Sequence, residues 1–191
     1  RESDAVVVGV NTVLADDPQL TARDPEGNPL PRQPLRVVVD SRCRTPGESG
    51  LFGQPGHTLI ACTEKASSED VARLERAGAE VLQLPAGEDG RVDLGELLAE
   101  LGRRDVVSLM AEGGGTVLGS LFDAGLVDKV YAFIAPLIIG GSRASSPVEG
   151  RGAEHMAGAW RMEGASFQTV GPDWLVVGYP EKKGQDVYWN S

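Results

Sequence analysis

The 191-residue chain is poor in the residues that build metal sites and disulfide frameworks. It has two cysteines, Cys43 and Cys62, and two histidines, His57 and His155. None has a partner at zinc-ligand spacing, so no metal site is expected. Cys43 and Cys62 could pair, but two cysteines in a chain of this size fit a reduced, cytoplasmic protein. Cations are also short: 18 Lys and Arg face 28 Asp and Glu, for a net charge of −10 and a pI of about 4.7. That balance disfavours general nucleic-acid binding. It leaves room for a small phosphorylated ligand, because a local cluster of donors works inside a negative global field. Long apolar runs are absent. The longest, Tyr131 to Ile139, has Pro136 inside it and is too short to span a membrane. No charged-then-apolar leader follows Arg1, so no signal peptide is expected, and the natural start is expected further upstream.

Glycine and proline are abundant, at 25 and 12 residues, with no Gly-X-Y period. The excess implies many turns in one globular domain. Ala5 to Val10, Leu35 to Val39 and Thr58 to Cys62 are short apolar runs rich in β-branched residues, the pattern of buried strands. Residues 11–34 between the first two are rich in Pro, Asp and Gly and predict one or two long loops. Ser67 to Ala77 predicts a helix capped by Ser67 and stopped by Gly78, and Glu80 to Leu84 another strand. Asp93 opens a helix with Leu94, Leu97, Leu98 and Leu101 on one face, Glu96 being placed to complete a capping box. Val106 to Ala111 predicts a strand that runs through Glu112 and three glycines into a helix carrying Val117, Leu118, Leu121 and Phe122. Lys129 to Ile139, Ser166 to Val170 and Trp174 to Gly178 complete the expected strands. Alternation of strands and helices from residue 58 demands parallel pairing with crossover helices. The expectation is an α/β domain of three layers (αβα), with a mostly parallel central sheet and antiparallel edge strands.

Four stretches could carry chemistry, and each follows a strand. The Gly113-Gly114-Gly115 run before a helix offers free N–H groups to a phosphate or pyrophosphate. It matches neither G-x-G-x-x-G, since position 118 is Leu, nor a P-loop, since Ser120 follows Gly119. A tight turn needing positive φ is the plainer alternative. Glu112, at the strand mouth, could accept N–H bonds from a pyrimidine or cap the following helix. Asp16 and Asp17 before Pro18 fit turn chemistry, ribose hydroxyls or a metal, and Arg23 fits a phosphate fork or a solvated surface. Ser41, Arg42 and Arg44 suit an adenosine 2′-phosphate, or are exposed loop charge.

These residues carry a resemblance. Ser3-Asp4-Ala5 through Gly9, Thr12-Val13-Leu14-Ala15-Asp16-Asp17-Pro18 and Leu20-Thr21-Ala22-Arg23 are similar to the reductase domain of the bifunctional riboflavin-biosynthesis deaminase/reductase. So are Pro34 through Ser41, Glu112 through Gly115 with Leu118-Gly119-Ser120, and Ala124-Gly125-Leu126-Val127-Asp128. Ile134-Ala135-Pro136, Gly140-Gly141 and Gly171-Pro172-Asp173 extend the match across residues 1–180, leaving residues 181–191 as a polar tail.

The resemblance implies a dihydrofolate-reductase-like fold, NADPH as hydride donor and a phosphorylated ribosylaminopyrimidine as substrate. The implied reaction reduces the ribose of 5-amino-6-(5-phosphoribosylamino)uracil to ribityl, hydride adding to the imine carbon C1′ of the opened sugar. By position it gives Thr12, Asp16, Ser41 and the run Gly114, Gly115, Thr116, Val117, Leu118, Gly119 and Ser120 to the cofactor. Leu20, Arg23 and Glu112 go to the substrate, with Glu112 as the candidate catalytic residue. It also implies a homodimer, and a first strand, a helix and a zinc deaminase domain upstream in the natural chain. Two alternatives keep the fold: a reductase of the non-deaminated or another aminopyrimidine, and a non-catalytic nucleotide-binding scaffold.

Overall fold

The structure, a computed structural model, describes residues 3–141, 144 and 146–181. Its frame is a five-stranded sheet of β1 (Ala5–Gly9), β2 (Leu35–Val39), β3 (Thr58–Cys62), β4 (Glu80–Gln83) and β5 (Leu109–Ala111). Every pairing is parallel and the order is β4-β3-β2-β1-β5. The apolar runs are continuous because both faces are covered. On one face Val8, Val38 and Ile60 pack with Val13 of α1 (Val10–Asp16) and Leu74 of α2 (Ser68–Arg76). On the other, Val7, Val37, Leu59 and Ala61 pack with Leu97 and Leu101 of α3 (Leu94–Arg103). The three expected layers are present. Strands 1 to 4 run outward in one direction and β5 returns to the far side of β1, so the order reverses at β1, where open α/β sheets hold ligands.

The helices start where the caps predict. The Ser67 hydroxyl accepts the Asp70 N–H at 3.1 Å, and Asp93 Oδ1 accepts from Gly95 and Glu96 at 2.8 and 3.1 Å. The reciprocal half of the box at Glu96 is replaced: the Asp93 N–H donates to the Pro85 carbonyl at 3.0 Å, because an Ala86–Val92 bridge brings that carbonyl close.

Three expectations change. The stretch expected to be loop from residue 11 begins with α1, which buries Val10 and Val13 one turn apart. The run 129–139 shortens to β6 (Val130–Ile134), and Leu137, Ile138 and Ile139 stand exposed beyond Pro136, which has no N–H for a ladder. The antiparallel strands pair as expected, but as a sheet of their own. In it β8 (Asp173–Pro180) lies between β6 and β7 (Met162–Val170). Phe122 of α4 (Gly115–Asp123) meets Trp160 just before β7, with ring centroids 5.9 Å apart. Of the expected tail only Glu181 is described; residues 182–191 lie outside the described residues.

Candidate active site

Parallel pairing puts the carboxyl ends of all five strands on one rim, and a cavity of about 390 Å³ opens there. Ser41, after β2, and Gly114, after β5, line it together. Gly113 and Gly114 have φ of 64° and 75°, which side-chain-bearing residues rarely adopt, and Gly114 is the helix N-cap with no side-chain cap. The N–H groups of Gly113, Gly114, Gly115 and Thr116 donate to nothing among the described residues. The turn is wedged tightly in place. A Cβ on Gly114 would sit 3.1 Å from Thr12 Oγ1, and one on Gly9 would sit 2.9 Å from a Val117 methyl. Free donors, a helix N-terminus and a floor without side chains fit a pyrophosphate.

The glycine-rich run divides by facing. Gly114, Thr116 and Val117 line this cavity, and Ser120 lines a second of about 690 Å³ that shares Val39, Asp89, Arg91, Thr116 and Val117 with it. Leu118 and Gly119 line neither. Gly119 is explained by packing, since its Cβ would fall 2.3 Å from the backbone of Glu149, where residues 149–150 cross the helix. Gly115 is held from the same side. Its carbonyl accepts the Glu149 N–H at 3.0 Å, while the Glu149 carboxylate accepts from the Thr116 hydroxyl at 2.7 Å. Glu149 was not foreseen, because its segment has no periodic pattern.

Behind Ser41 the loop is rigidly built. Asp40 is buried, and its Oδ2 accepts both the N–H and the hydroxyl of Thr45 at 2.7 and 2.8 Å. Cys43 and Cys62 are fully buried free thiols. Burial, reinforced by the neighbouring Cys62, pushes the Cys43 thiol up to about 12, so it stays protonated and unreactive. The Ser41 hydroxyl accepts the Val92 N–H at 3.1 Å and keeps its own proton for a ligand. Arg42 has no partner among the described residues, and Arg44 donates to Asn11 Oδ1 at 3.1 Å. Lys65 and Arg91 line the same cavity and were missed in the sequence. Lys65 follows β3 closely, the signal that singled out Ser41; Arg91 sits in the turn after β4.

The remaining candidates lie outside this cavity, and Arg23 follows Ala22, whose N–H donates to Gln33 Oε1 at 2.9 Å beside the amino ends of β2 and β3. Thr12 touches the glycine turn but, like Asp16, lines neither cavity. Its neighbour Asp17 is the structural acid of the pair. It accepts from the Ser49 hydroxyl and the Gly50 N–H at 2.7 and 2.8 Å, bonds that hold its carboxyl below the usual range. Leu20 packs half-buried against the core with φ of 49°. Arg23 is exposed, and its guanidinium donates to Thr21 Oγ1, the Gly27 carbonyl and Gln19 Oε1. Glu112 is exposed at the end of β5, its N–H held by the Val7 carbonyl at 3.0 Å. Neither Arg23 nor Glu112 lines the two cavities.

Comparison with known proteins decides the family. The RibD C-terminal domain profile matches residues 1–176. The chain belongs to the RibD C-terminal domain family. One relative, the 2,5-diamino-6-ribosylamino-4(3H)-pyrimidinone 5′-phosphate reductase of Methanothermobacter thermautotrophicus, is 45% identical over 182 residues. That match covers 95% of this chain and 82% of the relative. The riboflavin biosynthesis protein RibD of Actinobacillus pleuropneumoniae is 36% identical over 177 residues, covering 90% of this chain and 45% of the relative. Among solved structures, Acinetobacter baumannii RibD superposes with a TM-score of 0.76 at 25% identity, over 94% of this chain and 47% of that one. The yeast reductase Rib7, at 19% identity and a TM-score of 0.73, shares the fold over 94% of this chain and 76% of its own. Of these relatives RibD is named as a riboflavin biosynthesis protein, and two archaeal ones are named as pyrimidinone 5′-phosphate reductases.

Proposed function

We propose that this RibD-type domain is an NADPH-dependent reductase of a ribosylaminopyrimidine 5′-phosphate, converting its ribose to ribityl. The observation that carries the proposal is the cavity of about 390 Å³ at the strand rim. There, uncapped N–H groups of a glycine turn, the Ser41 hydroxyl and unpaired Arg42 meet in a chain of net charge −10. When bound, the nicotinamide cofactor supplies hydride to C1′ of the opened sugar. The chain's own residues place the two ligands. Gly114 and Thr116 offer N–H groups to the pyrophosphate, Thr12 buttresses that turn, and Ser41 donates toward the adenosine ribose. Asp16 is assigned to the cofactor and Leu20 to the substrate beside Arg23, which takes the substrate phosphate. Glu112 accepts N–H bonds from the pyrimidine and is the candidate for delivering a proton. The 45% identical archaeal relative, named for a diaminopyrimidinone, favours the non-deaminated ring as a second substrate to weigh against the uracil form. The test is NADPH oxidation followed at 340 nm with both phosphorylated substrates. Turnover of one above the other names the substrate, and none with either overturns the proposal.

The domain is further assigned to residues 1–180 of a cytoplasmic protein, with a deaminase domain upstream as in bifunctional RibD relatives. No described helix is long and apolar enough to cross a membrane. A homodimer is proposed through the β6-β8-β7 sheet. There Tyr131 and Phe133 stand 59% and 63% exposed on one face, opposite the face of Phe167, and exposed apolar surface of this kind marks interaction sites. Sedimentation at micromolar concentration is expected to give twice the chain mass, and Phe133→Glu to give the monomer. A wild-type monomer would remove this assignment.

A further inference from the structure

Two residues at the end of α1 and in the loop beyond it hold backbone conformations that side-chain-bearing residues rarely adopt. Asp17, the C-cap of α1, has φ of 41°, and Leu20 has φ of 49°. Asp17 also precedes Pro18, whose ring pushes the residue before it toward extended backbone. Such conformations persist only where the surroundings over-determine them, and they gather where ligands are held. The surroundings do so here. The Asp17 N–H donates to the Val13 carbonyl at 3.0 Å, and Asp17 Oδ1 accepts both the Ser49 hydroxyl at 2.7 Å and the Gly50 N–H at 2.8 Å. A Cβ on Gly50 would stand 3.3 Å from Asp17 Oδ2 and crowd the carboxylate in its seat. The far side of this clamp is anchored in the core. Ser49 is 4% exposed, its N–H donates to the Pro46 carbonyl at 3.2 Å, and its carbonyl accepts the Phe52 N–H at 3.0 Å. Leu51, two residues on, is fully buried in the cluster that contains Val13.

The clamp reaches Arg23 through one rigid residue. After Asp17 comes Pro18, whose ring fixes its φ, and then Gln19, whose Oε1 accepts from Arg23 Nη2. Thr21 Oγ1 accepts from Arg23 Nε at 2.9 Å. A second anchor follows at Gln33: its Oε1 accepts the Ala22 N–H at 2.9 Å, and its Nε2 donates to the Ala22 carbonyl at 3.0 Å. Gln19 and Thr21, two of the acceptors that orient the guanidinium, are thus strung between two fixed points. We propose that Asp17 is a positioning residue that acts through Arg23: held by Ser49 and Gly50, it keeps Gln19 and Thr21 where they aim the guanidinium at a phosphate monoester. The inference rests on the reading that Arg23 takes the substrate phosphate. What the clamp requires is an acceptor oxygen rather than a charge. Both donors fall on one carboxylate oxygen, and the side-chain carbonyl of asparagine reproduces it.

A double-mutant cycle on kcat/KM for the phosphorylated substrate tests this, with Asp17→Ala, Asp17→Asn, Ser49→Ala, Arg23→Ala and the Asp17→Ala, Arg23→Ala pair. Asp17→Ala is expected to lower kcat/KM about 3- to 10-fold, the ordering cost of one long side chain, chiefly through the substrate KM, with the NADPH KM changed by less than about 2-fold. Asp17→Asn is expected to recover most of the loss. In the Arg23→Ala background the Asp17 substitution should cost almost nothing, because the group it aims is gone. Amide hydrogen exchange at residues 19–23 should rise in Asp17→Ala and stay near wild type in Asp17→Asn. If exchange in Asp17→Ala rises across the central sheet as well, Ser49→Ala, which leaves the Gly50 bond in place, takes over its part in the cycle and is read by the same outcomes. Unchanged kcat/KM on breaking the clamp, Asp17→Asn as damaging as Asp17→Ala, or a loss that adds in full to that of Arg23→Ala would each overturn the inference. Wild-type kcat/KM in Arg23→Ala would overturn the placement of the phosphate on Arg23, and this inference with it.

Discussion

Arg36→Lys is expected to lower folding stability by about 2–4 kcal/mol, and Arg36→Met by less. Arg36 is 1% exposed, in the middle of the sheet on β2, and has no carboxylate partner among the described residues. Its charge is spread over three neutral acceptors: Thr58 Oγ1 at 3.0 Å, the Pro55 carbonyl at 2.7 Å and the Gln54 carbonyl at 3.4 Å. Burial pulls its pKa below the ordinary arginine value, as it must for a cation without a counter-charge. The planar fork fits the curve of the 54–58 turn. An ammonium is a point charge that cannot reach all three acceptors, so lysine would leave carbonyls unpaired beside a poorly solvated cation. Methionine fills much of the volume and removes the charge. It loses the bonds but also the cost of desolvating the ion. Urea unfolding would check the order. The lysine loss corresponds to a melting point lower by roughly 5–15 °C for a domain of this length. A lysine variant within about 0.5 kcal/mol of wild type would mean that the turn, not the guanidinium, holds the strand end.

Arg36 also shows what a sequence conceals. LRVVV reads as a buried strand because four of its five residues are apolar, and the arginine passes as a charge at the strand's start. Only the register of β2 on β3, Arg36 opposite Thr58, turns it into a buried hydrogen-bonding centre. The same limit applies to α1. Val10 and Val13 carry its apolar face in two positions, too few for a periodic signal. Gly9 caps it with backbone alone, and the acids before Pro18 look like a turn. The central sheet was legible because its runs are long, β-branched and followed by capped amphipathic helices. The glycine run was legible as a strand-to-helix turn. Its spacing did not reveal that Gly119 serves the crossing of residues 149–150 while Gly114 faces the cavity. Lys65 and Arg91 stood in loops far apart in sequence, and neighbouring parallel strands were needed to make them one wall.

Arg23→Ala is expected to lower kcat/KM for the phosphorylated substrate by roughly 10- to 150-fold while leaving NADPH affinity nearly unchanged. The guanidinium is exposed, yet its Nε, Nη1 and Nη2 are each engaged by neutral acceptors of its own loop, Thr21, Gly27 and Gln19. No carboxylate stands at ion-pair distance among the described residues, so the fork is oriented with its positive charge uncompensated. Orienting a cation before its anion arrives removes ordering cost from binding, which is why the loss on truncation should be large for a surface arginine. Arg23→Lys separates charge from shape. It keeps the charge, cannot make the three loop bonds together, and should recover only part of the loss. Glu112 supplies the complementary arm. It stands at the end of β5, next to β1 on the rim, and Glu112→Gln keeps an acceptor oxygen where Glu112→Ala removes it. A milder effect of glutamine than of alanine identifies a ring-binding carboxylate, whereas equal collapse of kcat identifies proton delivery to the opened sugar. Unchanged kcat/KM in Arg23→Ala would move the phosphate off this loop. Calorimetry with ribose 5-phosphate on the Lys65→Ala, Arg91→Ala double variant would then show whether these two cations of the rim cavity hold it instead.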